Sequence, residues 1–482
     1  MSSAASPATL LVIDQGTHAS RAILFSPEGQ TLAYFESAIK LHDRGHGRYE
    51  QDADEILTSV SDVLCQADRA FPGVKWLALT CQRATLVVWD RDTGKAVQPA
   101  ISWMDTRATA QLAALRGYSR DIHAQTGLPL SAHYLAAKMA CAYKSLHTKP
   151  SQRPLLYGPL LSYLLYHLLP DRPFLIDPSV ASRTQLYAIA KAQWSNELIQ
   201  RFGLGDLRRP DLVPSRHEFG PILHHSWPLK VACGDQSAMP FANGMPEADA
   251  LYVNLGTGAF AGRLVDSRFD LDQAMPLMIS PLPDARLPPT KYMLEGSVNG
   301  AGSALQWFRQ TEGISMQAFR EMQAKPVDPA NDHGLFINTI GGLGSPWWRR
   351  GGPPRFVEGC RTPEARYNAV VASILFMLYH NIQLIMQKTI HLGKVQRIHA
   401  CGGLSRLPGF CQALANLSQV TVMQEEEPEQ TARGAAFLMT PAPKKWRHSR
   451  SSVHAPDIRQ HQSIMDACQH YLHSLNRYLE GG

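Results

Sequence analysis

Thr9-Leu10-Leu11-Val12-Ile13-Asp14-Gln15-Gly16-Thr17 is an apolar run that stops abruptly at an acid, an amide, a glycine and a threonine. Residues 9–13 are apolar or β-branched and predict a buried strand. Gly16 lets the chain reverse without a Cβ in the way. Residues 22–25 predict the returning strand, and the Pro27-Glu28-Gly29 turn leads into a third. The stretch therefore reads as a β-meander with an acidic residue at its first tip. The same grammar returns near mid-chain, where 231–233 lead into Gly234-Asp235-Gln236 and 251–255 lead into Gly256-Thr257-Gly258, followed by a return strand over 259–264. No short fixed period connects the halves, so what repeats is architecture rather than sequence.

Outward from these strands, helical periodicity is clearest over 54–68, 160–169, 301–309, 367–389, 409–417 and 431–439. Strands with crossing helices in each half predict an α/β fold, and 482 residues with 44% apolar content predict two domains. The segment 441–456, rich in Pro, Ser and basic residues, reads as a solvated linker before a last helix over 457–479. The 47 basic and 41 acidic residues, a net charge of +6, are spread without a long block of one sign. That distribution argues against a nucleic-acid partner. Eight cysteines form no CxxC pair and several sit in apolar runs, which points to a reducing, cytoplasmic compartment. No basic region precedes a long apolar stretch in MSSAASPATL, and no segment reads as a membrane span.

A triphosphate is cradled by backbone N–H groups that approach closely, which demands residues without bulky side chains. Gly16-Thr17 and Gly256-Thr257-Gly258 provide two such turns, each with a hydroxyl. A single turn of this kind is more often a plain hairpin; two of them at the tips of matching strands favour phosphate binding. No GxxxxGK[ST] sequence occurs, which excludes a Walker-type loop.

Taken in chain order, the motifs form a series: Asp14-Gln15-Gly16-Thr17 with Arg21, Gln82-Arg83, Trp103 with Arg107, Ala181-Ser182-Arg183-Thr184 and Gly234-Asp235-Gln236. It continues through Gly256-Thr257-Gly258, Leu294-Glu295-Gly296 with Gln306-Trp307, Gly402-Gly403, and Gly434-Ala435-Ala436. The series resembles the FGGY carbohydrate kinase family, in its glycerol kinase-like branch, within the larger actin-like ATPase fold. The resemblance covers residues 10 to about 438.

It implies two actin-like (ribonuclease H-like) α/β domains with a catalytic cleft between them. Residues 1–245 would bind the acceptor and carry the base, 246–440 would bind the nucleotide, and 441–482 would form a basic linker and C-terminal helix. It implies transfer of the γ-phosphate of ATP to a hydroxyl of a small sugar or polyol, with Mg²⁺ present and Asp235 as general base. By the same resemblance, Asp14 and Asp235 are expected near the metal, and Gly16, Thr17, Arg21, Gly256 and Thr257 at the phosphates. Gly302, Gln306 and Gly403 are expected at the adenosine. The acceptor would meet Gln82, Arg83, Trp103, Asp105, His133, Asp235 and Gln236. A homo-oligomer stays open.

Four positions depart from the family pattern. Ala84 stands where glycerol kinases carry Glu, His133 where they carry Tyr, and Leu407 where they carry Asn. Asn368-Ala369-Val370-Val371-Ala372 replaces an Arg-Ala-x-x-Glu sequence. These departures make glycerol a doubtful acceptor and a longer polyol or ketose a better one. They also support an alternative, a noncatalytic nucleotide- or sugar-binding regulator. Asp14, Asp235 and both Gly-Thr turns argue for the enzyme. Trp347-Trp348-Arg349-Arg350 reads as a surface loop, with a lid or partner contact as the alternative.

Overall fold

The Thr9–Gln15 strand is buried along its whole length. It pairs antiparallel with Ala19–Phe25 on one side and parallel with Val74–Cys81 on the other. Cover on both faces explains why its residues run continuously apolar instead of alternating. Thr31–Ala38 completes the meander as an edge strand whose residues alternate in exposure. Pro228–Gly234 extends the parallel side and Arg216–Pro221 closes the far edge, giving six strands. Helix Ala53–Ala70 starts at Asp52, whose side chain accepts from the N–H groups of Asp54 and Glu55. Its stripe of Ile56, Val60, Val63, Leu64 and Ala67 is buried in the first core.

The chain is described here from a computed structural model covering residues 9–71, 73–146, 154–330, 334–357, 359–440 and 445–480. In the second half, Ala250–Leu255 pairs antiparallel with Ala259–Asp266 and parallel with Arg397–Cys401. Lys291–Val298 continues the antiparallel side and Thr421–Glu425 the parallel side. The turn grammar repeated in the sequence is thus a repeated sheet plan: a three-strand meander joined through its first strand to two parallel strands. A further five-stranded sheet, containing Leu86–Asp90, Ala100–Ile101 and Leu155–Pro159, is appended to the first domain.

Two expectations change. Of the expected linker 441–456, residues 441–444 lie outside the described residues, and the remainder is built into the fold. Ser451–His454 pairs with Thr421–Glu425 as the seventh strand of the second sheet. Trp446 donates its indole N–H to the Ala242 carbonyl and lies 5.1 Å from the Arg433 guanidinium. The basic composition that suggests solvent is compatible with a strap because the aromatic and the strand carry the contact. The last helix, Ile458–Glu480, packs against Phe410–Ser418.

The second change concerns helix Pro363–Lys388, which at 26 residues is long and apolar enough to cross a membrane by length and composition. The expectation that no segment reads as a span is therefore corrected. The reason is its position: residues 367 to 385 are buried almost throughout as a core helix of the second domain, which needs apolar side chains around its whole circumference. Near its start, Arg366 forms an ion pair of 2.6 Å with Glu312.

The halves are joined closely by helix Gln430–Met439, which leaves the second domain and packs on Met239–Phe241 and on the Thr9–Gln15 strand. At Gly434 an added Cβ would stand 1.9 Å from the Ala238 carbonyl oxygen, so the Gly434-Ala435-Ala436 motif is a backbone-to-backbone contact.

Candidate active site

Parallel strands of one plan place their carboxyl ends on one side, where ligands of open α/β sheets bind. Asp14, Arg83 and Asp235 lie at or just beyond the ends of three parallel strands of the first sheet. Gly256-Thr257 and Gly402-Gly403 follow two parallel strands of the second.

On the side where phosphates are expected, Gly16 and Thr17 are partly exposed at the first turn. Arg21 follows on the return strand, with Nη1 3.8 Å from Asp14 Oδ2. Its Nε donates to Glu36 Oε2 and to Tyr34 Oη, both at 2.9 Å. Thr80, Asp14, Arg21 and Glu36 are successive register partners across four strands. The row thus orients the guanidinium from the sheet edge toward the turn. Asp14 is buried, which pushes its carboxyl above the usual range, opposed by a 2.7 Å hydrogen bond from the Thr80 hydroxyl and by Arg21.

At the second turn Gly256 and Thr257 are exposed. The helix Gly302–Thr311 begins against them: Gly302 N–H donates to Gly256 O at 3.0 Å and Ser303 N–H to Thr257 O at 3.1 Å. A Cβ on Gly302 would lie 2.8 Å from that Gly256 oxygen, so the helix start reaches the turn only as glycine. Gln306 is exposed one turn along. Gly402 has φ +92, and its Cβ would fall 2.5 Å from Leu255 O, whereas the neighbouring Gly403 faces open space. Leu407 turns inward, 7% exposed.

On the side where the acceptor is expected, Asp235 starts the turn after Pro228–Gly234 and keeps 29% of its side chain exposed. Its Oδ1 accepts from the Gln236 N–H at 2.7 Å and lies 3.8 Å from Arg83 Nε. Burial pushes this carboxyl up to about 6, with Arg83 pulling it down and the Asp14 charge adding to the rise. Gly234 makes room for Arg83, since a Cβ there would meet Arg83 Cγ at 2.4 Å. Trp103 donates its indole N–H to Thr17 Oγ1 at 3.0 Å, which connects the 103–107 turn to the Gly16-Thr17 turn. His133 Nδ1 lies 3.3 Å from Trp103 O, and burial pushes its imidazole down to about 4, so the ring is neutral. Gln236 Oε1 accepts from Asn254 Nδ2 of the second domain at 2.9 Å.

Two residues expected at the acceptor stand elsewhere. Asp105 is fully buried and its carboxylate accepts from the Arg107 guanidinium and N–H and from the Tyr49 N–H. It pins the 103–107 turn and has no free face. Gln82, 2% exposed, donates from Nε2 to Gln15 and Gln51 and accepts from the Thr85 hydroxyl. Both amide hydrogens are taken, so Gln82 braces the wall from behind.

Three supporting groups escaped the sequence reading. Asp177 caps helix Pro178–Ala181 and accepts from Ser179 Oγ at 2.6 Å, and Ser179 Oγ in turn accepts from Gly234 N–H at 2.9 Å. That chain holds the turn of Asp235, and its one local signal is the Asp-Pro pair that starts a helix. Lys138 is fully buried and donates from Nζ to Ala84 O and Ser102 O at 3.0 and 2.8 Å, behind the acceptor wall. Burial pushes its amine down to about 7. Phe260 pairs with Asn254 across the second hairpin and shares its face, which looks toward Gln236. Trp347 and Trp348 are tied down, their indoles donating to Asn476 and to the Pro276 carbonyl.

Paired sheets with glycine turns and carboxylates at their facing ends define a two-domain actin-like phosphotransferase. Residues 9–245 match the FGGY family of carbohydrate kinases, N-terminal domain, and residues 251–442 match the C-terminal domain of that family. The chain belongs to the FGGY family of carbohydrate kinases and is a phosphotransferase with an alcohol group as acceptor. It is 30% identical over 447 residues to a glycerol kinase of Geobacter sp. strain M21, covering 89% of each chain. It is also 30% identical over 454 residues to a glycerol kinase of Nitrosomonas eutropha, covering 89% of this chain and 88% of that one. Among solved structures, a ligand-bound xylulose kinase from Lactobacillus acidophilus superposes with a TM-score of 0.84 at 19% identity, covering 97% and 98% of the two chains. The glycerol kinase of Plasmodium falciparum with ADP gives 0.80 at 19% identity, covering 97% and 98%. At that identity the structures show a shared fold.

Proposed function

We propose that this kinase transfers the γ-phosphate of ATP to a hydroxyl of a small sugar or polyol, with Asp235 as general base. The observation that carries the reading is the placement of Asp235: at a strand end, partly open to the cleft, beside the Arg83 guanidinium and with its carboxyl raised to about 6. A carboxylate of that strength accepts a hydroxyl proton as the bond to phosphorus forms, and at neutral pH it is ionised and ready. Arg83, with Trp103, His133 and Gln236, orients the acceptor. The Gly16 and Gly256 N–H groups close their own turns onto Ala19 O and Gly258 O, so the Thr17 and Thr257 N–H groups, their two hydroxyls and Arg21 hold the triphosphate. The Trp103 indole occupies a lone pair of Thr17 Oγ1, leaving the Thr17 proton for a phosphate oxygen.

Asp14 and Asp235 fit a hydrated Mg²⁺, because that ion takes one or two carboxylates and fills its remaining positions with water and phosphate oxygens. Bound there, it would offset the phosphate charge. The first domain serves the acceptor and the second most of the nucleotide, and their approach excludes water.

The acceptor wall has a methyl group at Ala84 and a neutral imidazole at His133. That wall suits an acceptor longer than glycerol, such as a four- or five-carbon polyol or a ketose. Eight cysteines, none of them in a disulfide, suit a reducing cytoplasm, where we place the enzyme. Coupled ADP release with Mg-ATP over a panel of polyols, ketoses and aldoses tests the reading. Acceptor-dependent release that Asp235→Ala abolishes supports it; tight ATP binding without turnover on a broad panel makes the chain a regulator.

A further inference from the structure

The acceptor arginine is held from both domains. Arg83 has 8% of its side chain exposed, with Asp235 Oδ1 at 3.8 Å from Nε and Glu295 Oε1 at 3.7 Å from Nη1. Neither distance is a hydrogen bond. Its buried Nη1 has no hydrogen-bond partner, so the guanidinium sits between two carboxylates and closes on neither.

Glu295, by contrast, is fixed. Its Oε2 accepts from Arg183 Nη2 at 2.5 Å and from the Ser280 hydroxyl at 3.3 Å. Arg183 is itself clamped, donating to Ser280 Oγ and facing the sulfur of Met278, which also accepts from Tyr134 Oη at 3.1 Å. Glu295 lies on Lys291–Val298 of the second domain, whereas Arg83, Arg183, Tyr134 and Asp235 belong to the first. Two guanidiniums and two carboxylates balance in charge, which is how such a cluster is tolerated in a buried place.

With one carboxylate removed, a buried guanidinium would close on the other as a contact ion pair, because attraction at this range is weakly screened. We propose that Glu295 is a positioning residue of the acceptor site: supplied by the nucleotide domain, it holds Arg83 off Asp235, so that the Asp235 carboxylate stays available to an acceptor hydroxyl while the domains are together. When the domains part, the Arg183–Glu295 bond breaks, Arg83 falls onto Asp235, and the base is masked until closure restores it. The device rests on the reading of Asp235 and Arg83 given above.

Glu295→Gln keeps the shape of the side chain and an oxygen for Arg183 but removes the charge. In the coupled assay with Mg-ATP and the best acceptor among glycerol, erythritol, ribitol, xylitol and D-xylulose, kcat/KM for the acceptor falls at least tenfold while the KM for ATP stays within twofold. Combined with Arg83→Lys, the loss is well short of the product of the single losses, since both act through one guanidinium. An equal fall in kcat/KM for both substrates with a lowered melting temperature, or losses that simply multiply, overturns the proposal and makes Glu295 a structural ion-pair partner. Arg183→Lys keeps every charge but loosens Glu295, and it is read the same way if Glu295→Gln does not fold. If Arg83→Lys and Asp235→Ala leave turnover intact, or no acceptor turns over, the site reading itself fails and takes this inference with it.

Discussion

The two ends of the proposed cleft, one for the nucleotide and one for the acceptor, are made by different means. At the nucleotide end the main chain does the shaping: Gly302 and Gly402 press their backbones against Gly256 and Leu255, and the turns stay open to solvent. At the acceptor end the work falls to buried charged side chains, with Arg183 and Glu295 meeting across 112 residues of sequence. A binder of phosphate can rely on amides that every residue carries. A binder of hydroxyls in a fixed pattern needs particular side chains, and burying their charges requires partners from elsewhere in the fold.

The largest effect that would break this comparison lies at the acceptor end. Asp235→Ala is expected to lower kcat by about 10³-fold, within the usual range for loss of a general base, and to leave the affinity for ATP measured without Mg²⁺ nearly unchanged by calorimetry. A matching loss of ATP binding would mean that the two ends are not separable. At the nucleotide end, Gly402→Ala introduces both a left-handed φ and a clash with Leu255 O. It is expected to destabilise by about 2–3 kcal/mol in urea unfolding and to raise the KM for ATP. Gly403→Ala, next to it but facing open space, is expected to leave stability intact and weaken ATP alone.

The pH dependence sharpens the contrast. A carboxyl raised by burial is protonated, and useless as a base, below its own pKa. Acceptor kcat/KM is therefore expected to fall tenfold per unit as pH drops below about 6, the value for Asp235. His133, titrating at about 4, adds no limb above that range. A flat profile from pH 5 to 8 would remove Asp235 from the chemistry. The smallest effect belongs to the edge of the first sheet. Glu36→Ala combined with Tyr34→Phe removes both acceptors of Arg21 Nε and is expected to raise the KM for ATP about threefold to tenfold, on the order of one hydrogen bond, with no change in acceptor KM or melting temperature.

Much of the proposed nucleotide end could be assembled from the sequence because its residues are local. Asp14, Gly16, Thr17 and Arg21 fall within one hairpin, and Gly256 and Thr257 within another, so strand pattern and turn chemistry place them together. The acceptor end was legible only in part. Asp105 and Gln82 are polar residues in the right motifs, yet their hydrogen-bonding capacity is filled by Arg107, Tyr49, Gln15 and Gln51, which no local pattern reveals. Lys138, on a mainly apolar helix, and Asp177, beside a proline, gave no sign of their buried partners.

By itself, then, the sequence determined the strands, their glycine turns and the acids at their tips, because burial pattern and backbone freedom act over a few residues. Tertiary structure alone decided which polar groups face the cleft and which brace it, how helix 363–388 came to be a core helix, and that Glu295 stands against Arg83. Those outcomes depend on charges and surfaces brought together from distant parts of the chain, where desolvation and Coulomb attraction are settled only after the domains have packed.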